Sequence, residues 1–190
     1  QFGSSNEFSD WDIALHTYTF SHAVRLSLRR LPSIELLRAV FDAAMSVYLN
    51  RFLNVPPSQI PVPTAWQNEV SDTLAKKFLE VLDKRQQVSE AAEIVIKYIK
   101  SAGDRDGLIA VLGNALLRED RNFHSIQMIE AAYGQWKTLQ TKGFVLDQSS
   151  VLIAAARYLA AHSPTVRRQA QMFEIALRLQ QGAKLYEGIE

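Results

Sequence analysis

Apolar residues recur along most of this chain at intervals of three and four, the spacing that lines one face of an α-helix. No stretch keeps the strict alternation of a half-buried strand, and no hairpin turn signal occurs. The breaks between apolar runs then mark where each helix starts and stops. Ser9 is placed to cap a first helix running to about Arg30, with Asp12 near its positive end. Leu31-Pro32 ends that pattern, and Ser33 caps a second helix through about Leu53. Leu37, Val40, Phe41, Ala44, Val47, Tyr48 and Phe52 give this second helix one wide apolar face.

Residues 54–63 hold four of the six prolines, which excludes helix there. An extended crossover of polyproline character lying on the body is expected, with a linker or recognition segment as the alternative. Thr64 and Gln67 have capping-box spacing, and Trp66, Val70, Leu74, Phe78, Val81 and Leu82 form the stripe that follows. Ser89 opens a helix to about Ala102, closed by Gly103, and Asp104 restarts the chain. Arg118-Glu-Asp-Arg121 reads either as a bend or as the middle of one long helix. A helix from Phe123 to about Leu139, an Ala-rich helix from Ser149 to Ala161 and a last helix to about Gln181 complete the pattern. Ser163-Pro164 reads as the cap and first residue of the last one. The expectation is an all-α fold, a compact bundle of seven or eight helices. Residues 9–186 form its single domain, 1–8 a flexible leader and 187–190 a frayed tail. No repeat at solenoid period is present.

Composition narrows the function. The 190 residues carry 21 Lys+Arg against 20 Asp+Glu, a net charge of +1 that argues against nucleic acid as a partner. Without cysteine the chain offers no disulfide, no thiolate metal site and no cysteine nucleophile. No apolar run reaches the ~20 residues of a membrane span, so no membrane insertion is expected, and with no secretion signal a cytoplasmic setting is expected. P-loop, dinucleotide, nucleophile-elbow, His-Glu-x-x-His and Glu-x-x-His signatures are all missing.

Two Asp-x-x-x-His spacings remain, Asp12 with His16 and Asp120 with His124. On a helix each carboxylate would share a face with its imidazole and could orient it. Facing helices would bring all four together as an acid/base site or a metal site. The plainer reading gives each Asp a helix N-terminus and each His a local hydrogen bond. Gln127 lies three residues after His124 and could join it in contacting a polarised oxygen. Arg157, inside an apolar helix, is a candidate substrate anchor or a structural ion-pair partner, and Tyr48 could offer a hydroxyl. His16 and His22 lie about 240° apart around a helix and cannot chelate together. His162 closes a helix, where its charged form is favoured.

Four stretches carry a resemblance: Asp10-Trp-Asp12 through Ser21-His-Ala-Val24, Leu36 through Pro56, Leu116 through Asp120 with Phe123, His124 and Gln127, and Ala154 through His162. Together they resemble the helical region of bacterial proteins that also carry a Rieske-type [2Fe-2S] domain, itself distantly similar to the questin oxidase-like helical family. The resemblance implies an oxygenase or redox setting, with electrons from a separate ferredoxin-like protein. It implies His16, Asp120, His124 and Gln127 as site positions. This chain lacks the Cys-His pairs of a Rieske cluster, so it ligates none itself. The resulting expectation is a domain binding a small apolar or aromatic molecule in the bundle. His124 would act as acid/base, Asp120 would orient it, and His16 and Gln127 would contact substrate or a metal ion. A non-catalytic module docking a protein through a helical face or loop 54–63 is the alternative.

Overall fold

The computed structural model describes residues 8–54, 58–62, 70–101, 105–142 and 149–183. Among these are eight α-helices and no strand: α1 Phe8–Arg30, α2 Ile34–Leu49, α3 Ser71–Val81, α4 Val88–Ser101, α5 Arg105–Arg118, α6 Phe123–Lys142, α7 Ser149–Ala161 and α8 Arg168–Gln180. A 3₁₀ turn, Arg51–Asn54, follows α2. The all-α multi-helix bundle read from the apolar spacing is what the chain forms. Thr64, Trp66, Gln67, Gly103, Asp104, residues 1–7 of the leader and the tail lie outside the described residues, while Phe8 belongs to α1.

α7 is the central element. It is apolar on every side, and Leu152, Ile153, Ala155, Ala156, Leu159 and Ala160 are all buried, the mark of a helix surrounded by others. Its alanines let α4 and α6 approach closely, and α5 also packs on it. α3 packs on α4, while α1 is held between α6 and α2. The core runs from Trp11 and Leu15 through Phe78, Leu82 and Val95 to Trp136 and α7. Truncating a fully buried residue such as Leu152 would cost ~2–5 kcal/mol by leaving a cavity. Of the proline-rich segment, residues 58–62 are non-helical, and Arg157 on α7 donates to the Gln59 carbonyl at 2.8 Å. Ile60 packs on the core beside it.

Residues 118–121 form a bend. Asn122 caps α6: its Oδ1 accepts from the Ser125 amide at 3.0 Å, and Ser125 Oγ accepts from the Asn122 amide at 3.1 Å. Beside it Glu119 is buried, and Arg167 donates to its Oε1 at 2.7 and 3.0 Å. The amide and hydroxyl of Thr165 both donate to Glu119 Oε2 at 2.8 Å, and Arg167 also pairs with Asp83. One buried carboxylate thus ties the α5–α6 bend, the end of α3 and the α7–α8 connection together.

Three expectations need correction. Ser163-Pro164 does not start the last helix. It lies in the connection, with a cis peptide, and α8 begins at Arg168 after Arg167 in the left-handed region. Ser9 lies within α1 rather than before it. Most consequentially, the broad apolar face of α2 is not in the core. Ser33 caps the helix as read, its Oγ accepting from the Leu36 amide at 3.2 Å. But α2 meets α1 through buried Ala43 and half-buried Ala39 and Leu36. The opposite side, with Leu37, Phe41, Met45, Tyr48 and Phe52, is exposed. Small residues permit the closer helix contact, so they take the inner side. α8 has no buried residue and is exposed from Gln171 to Gln180.

Candidate functional site

α1 presents two adjacent stripes. Trp11, Ala14, Leu15 and Tyr18 fall on one by their i, i+3, i+4, i+7 spacing, and Asp12 and His16 on the next. The first stripe forms a wall of a cleft of about 310 Å³, shared with Met128 of α6 and with Val151, Ala154, Arg157 and Tyr158 of α7. The cleft is mainly apolar, with a guanidinium and two phenols as its larger polar groups. Burial pushes both phenols up from their ordinary range, against Arg25 in the case of Tyr18 and reinforced by Asp12 in the case of Tyr158. Burial also lowers the Arg157 pKa, though a guanidinium stays charged. The Tyr18 hydroxyl is buried and has no hydrogen-bond partner among the described residues.

The second stripe meets α6. His16 Nε2 stands 3.1 Å from His124 Nε2, with ring centroids 5.0 Å apart. Asp12 Oδ1 lies 3.9 Å from His124 Nδ1 and accepts from the Tyr158 hydroxyl at 3.3 Å. Tyr158 therefore belongs to both the cleft and this cluster. Its ring stacks on His162 with centroids 4.1 Å apart, and His162 Nδ1 donates to the Tyr158 carbonyl at 2.7 Å. Burial lowers the His162 pKa, opposed by that carbonyl, so the neutral ring is favoured, contrary to the charged form expected of a helix end.

Of the sequence candidates, Asp12, His16 and His124 come together and Asp120 does not join them. Asp120 sits in the bend before α6, so it is not one helical turn from His124, and the i, i+4 argument does not apply. Its carboxylate accepts from the Gln169 amide at 2.9 Å. The amides of Gln169 and then Arg168 hold its carboxyl below the ordinary carboxylate range, at the start of α8. Nor does Asp12 orient its own helix's His16; it lies by His124 across the interface. Gln127 is exposed and does not line the cleft. Tyr48 is also exposed, with Arg51 stacked 3.9 Å above its ring. Arg157 lines the cleft, and its guanidinium also donates to the Gln59 carbonyl. Among the described residues no group of three or more His, Asp or Glu is gathered to hold a metal, so the four-residue convergence expected from the two spacings is not formed.

Two features escaped the sequence reading. Tyr18 follows Trp11, Ala14 and Leu15 at helical spacing, a signal that could put it on their face of the helix but not at a cleft. His22 is 3% exposed, with Glu130 at 3.3 Å from its Nε2, and with Arg25 and Gln135 each 3.3 Å from its Nδ1. The usable signal was Gly134, a glycine inside a long helix, which marks a close approach. No protein-family model, no curated protein and no solved structure matches the chain.

Proposed function

We propose that this chain is a cytoplasmic, oxygenase-associated helical domain that holds a small aromatic molecule bearing an acceptor oxygen in the α1–α6–α7 cleft. The observation that carries the reading is an apolar cleft lined by Tyr18, whose buried hydroxyl has no hydrogen-bond partner among the described residues. An unsatisfied buried donor costs ~1–3 kcal/mol, which a ligand oxygen would recover. The volume, about 310 Å³, lies at the lower end for small-molecule sites and suits a one- or two-ring guest. Arg157 adds positive charge and favours an anionic ligand. The acid/base groups nearest the guest are Tyr158 and, behind it, Asp12 and His124. The redox setting, with electrons from a separate ferredoxin-like protein, follows from the resemblance alone.

The test is calorimetric titration with 2-naphthoate and with 2-methylnaphthalene. Saturable one-to-one binding that prefers the carboxylate, and that Ala154→Phe weakens by filling the cleft, supports the reading. No binding, or binding indifferent to Ala154→Phe in a folded variant, removes it.

The exposed α2 face favours a second reading, docking of a second copy of this chain. Ten large apolar side chains between Leu31 and Phe52 are each 43–76% exposed. Their exposed surface is on the order of 1,000 Å², above the ~800 Å² each partner contributes to a standard interface. α8 offers a matching apolar stripe in Met172, Ile175 and Leu179, also uncovered.

A further inference from the structure

The geometry points to a binding site for one borderline divalent transition-metal ion, of the Zn²⁺, Ni²⁺ or Cu²⁺ class, held by Nε2 of His16 and Nε2 of His124. Imidazole nitrogen suits these ions, and a site of this kind needs no cysteine. The two nitrogens stand 3.1 Å apart on helices 108 residues distant in sequence. At a metal–nitrogen distance of about 2.1 Å, that separation subtends roughly 95° at the ion. Such an angle fits neighbouring positions of a tetragonal or octahedral ion directly, and a few tenths of an ångström of opening reaches tetrahedral geometry.

The surroundings of His124 fit a ligand. A metal-bound imidazole usually turns its other nitrogen to a carboxylate or carbonyl, which fixes the ring and raises its basicity. Here Asp12 Oδ1 lies 3.9 Å from Nδ1, within a small ring rotation of a hydrogen bond, and Asp12 is itself held by the Tyr158 hydroxyl at 3.3 Å. Asp12 is thus a positioning residue, not a ligand. His16 is exposed at the rim, so the remaining coordination positions open to solvent. No third His, Asp or Glu completes the set among the described residues. The ion therefore keeps exchangeable positions, which a water or a substrate oxygen can occupy.

Without metal, two neutral imidazoles facing Nε2 to Nε2 share at most one N–H···N bond. A cation at that point satisfies both lone pairs at once. The inference does not depend on the cleft taking a guest, because neither histidine lines it.

The experiment is calorimetric titration of the whole chain with ZnCl₂, paired with NMR of the four histidine rings. One ion per chain is expected to bind more tightly than ~1 mM, moving the ring signals of His16 and His124 into a bound set. His16→Ala and His124→Ala should each weaken binding by roughly tenfold or more, and Asp12→Asn by ~10-fold, with helicity unchanged by circular dichroism. The wild-type ring signals keep the test decisive if a variant fails to fold. No saturable binding below ~1 mM, binding that survives either histidine substitution, or wild-type shifts confined to His22 and His162 overturns the site. Unchanged affinity in Asp12→Asn overturns the positioning role.

Discussion

The His22 ring lies against the backbone of Gly134, so close that a Cβ built on that glycine would stand 2.6 Å from His22 Cε1. The ring has little freedom to withdraw, since it is buried and has Glu130, Arg25 and Gln135 around its two nitrogens. Glycine here serves helix contact at the expense of helix propensity. Replacing it with alanine would gain ~1 kcal/mol of propensity but cost ~1–3 kcal/mol of overpacking. Gly134→Ala should therefore destabilise the fold by about 1 kcal/mol net in urea denaturation. In a His22→Ala background the same change should become neutral or stabilising, because the clash is gone and the propensity gain remains. A destabilisation of equal size in both backgrounds would show that the ring is not what Gly134 accommodates.

Glu119 makes stability depend on acid. Burial alone would raise its carboxyl, but hydrogen bonds from Arg167 and from the amide and hydroxyl of Thr165 outweigh burial and hold it below the ordinary range. A carboxyl depressed in the folded state binds fewer protons there than in the unfolded chain. Its contribution is therefore complete above the unfolded value, near 4.3, and is lost as pH falls through the folded value. Thermal or urea midpoints should drop on acidification below about pH 5. Glu119→Gln should lower stability at pH 7 by about 2 kcal/mol and flatten that acid limb. An acid limb of the same steepness in Glu119→Gln would assign it to other carboxylates.

These two networks mark what the sequence could and could not disclose. Helix positions were legible because they follow from periodicity and punctuation: Ser33 caps α2, and α7 spans Ser149–Ala161 as its apolar run indicates. The orientation of α2 was not legible. Periodicity identifies an apolar side but not the neighbour that covers it, and Ala39 and Ala43 offered α1 the closer approach. The site was half legible. Asp12, His16 and His124 do meet, because the first spacing puts Asp12 and His16 one turn apart on α1 and α1 packs on α6, which carries His124. Asp120 fails because Asn122 starts a new helix, and an i, i+4 relation has no meaning across a bend. Nothing local in the sequence pairs Glu119 with Arg167, 48 residues away; that contact exists only once α7 has folded back.

The uncovered face of α2 predicts self-association. Phe41 is 76% exposed at the centre of a stripe with Leu37, Met45 and Tyr48. Sedimentation velocity should show a dimer that grows with concentration, and Phe41→Asp should shift it to monomer by placing a charge in an apolar contact. Because Phe41 touches little within its own chain, the monomer should keep its unfolding midpoint within about 0.5 kcal/mol. A wild-type protein monomeric at high concentration would remove the second-copy reading. Ala43→Leu is the converse probe: Ala43 faces α1, so the larger side chain should cost ~1–3 kcal/mol of stability without acting on the dimer face directly.

Tyr18 separates stability from binding. Its ring fills the cleft wall, but its hydroxyl is buried with no partner among the described residues. Tyr18→Phe keeps the ring and deletes only the oxygen. Removing an unsatisfied buried donor should leave the free protein as stable or stabilise it by about 1 kcal/mol. If that hydroxyl meets a ligand oxygen, the same substitution should weaken 2-naphthoate by ~5- to 10-fold, the loss of one hydrogen bond of about 1–1.4 kcal/mol. Affinity for 2-methylnaphthalene should not change, since it offers no acceptor. Opposite signs on stability and affinity are what a polar group held for a guest produces. A Tyr18→Phe variant that is less stable, with both ligands bound as before, would instead give the hydroxyl a structural partner and leave the cleft without its polar handle.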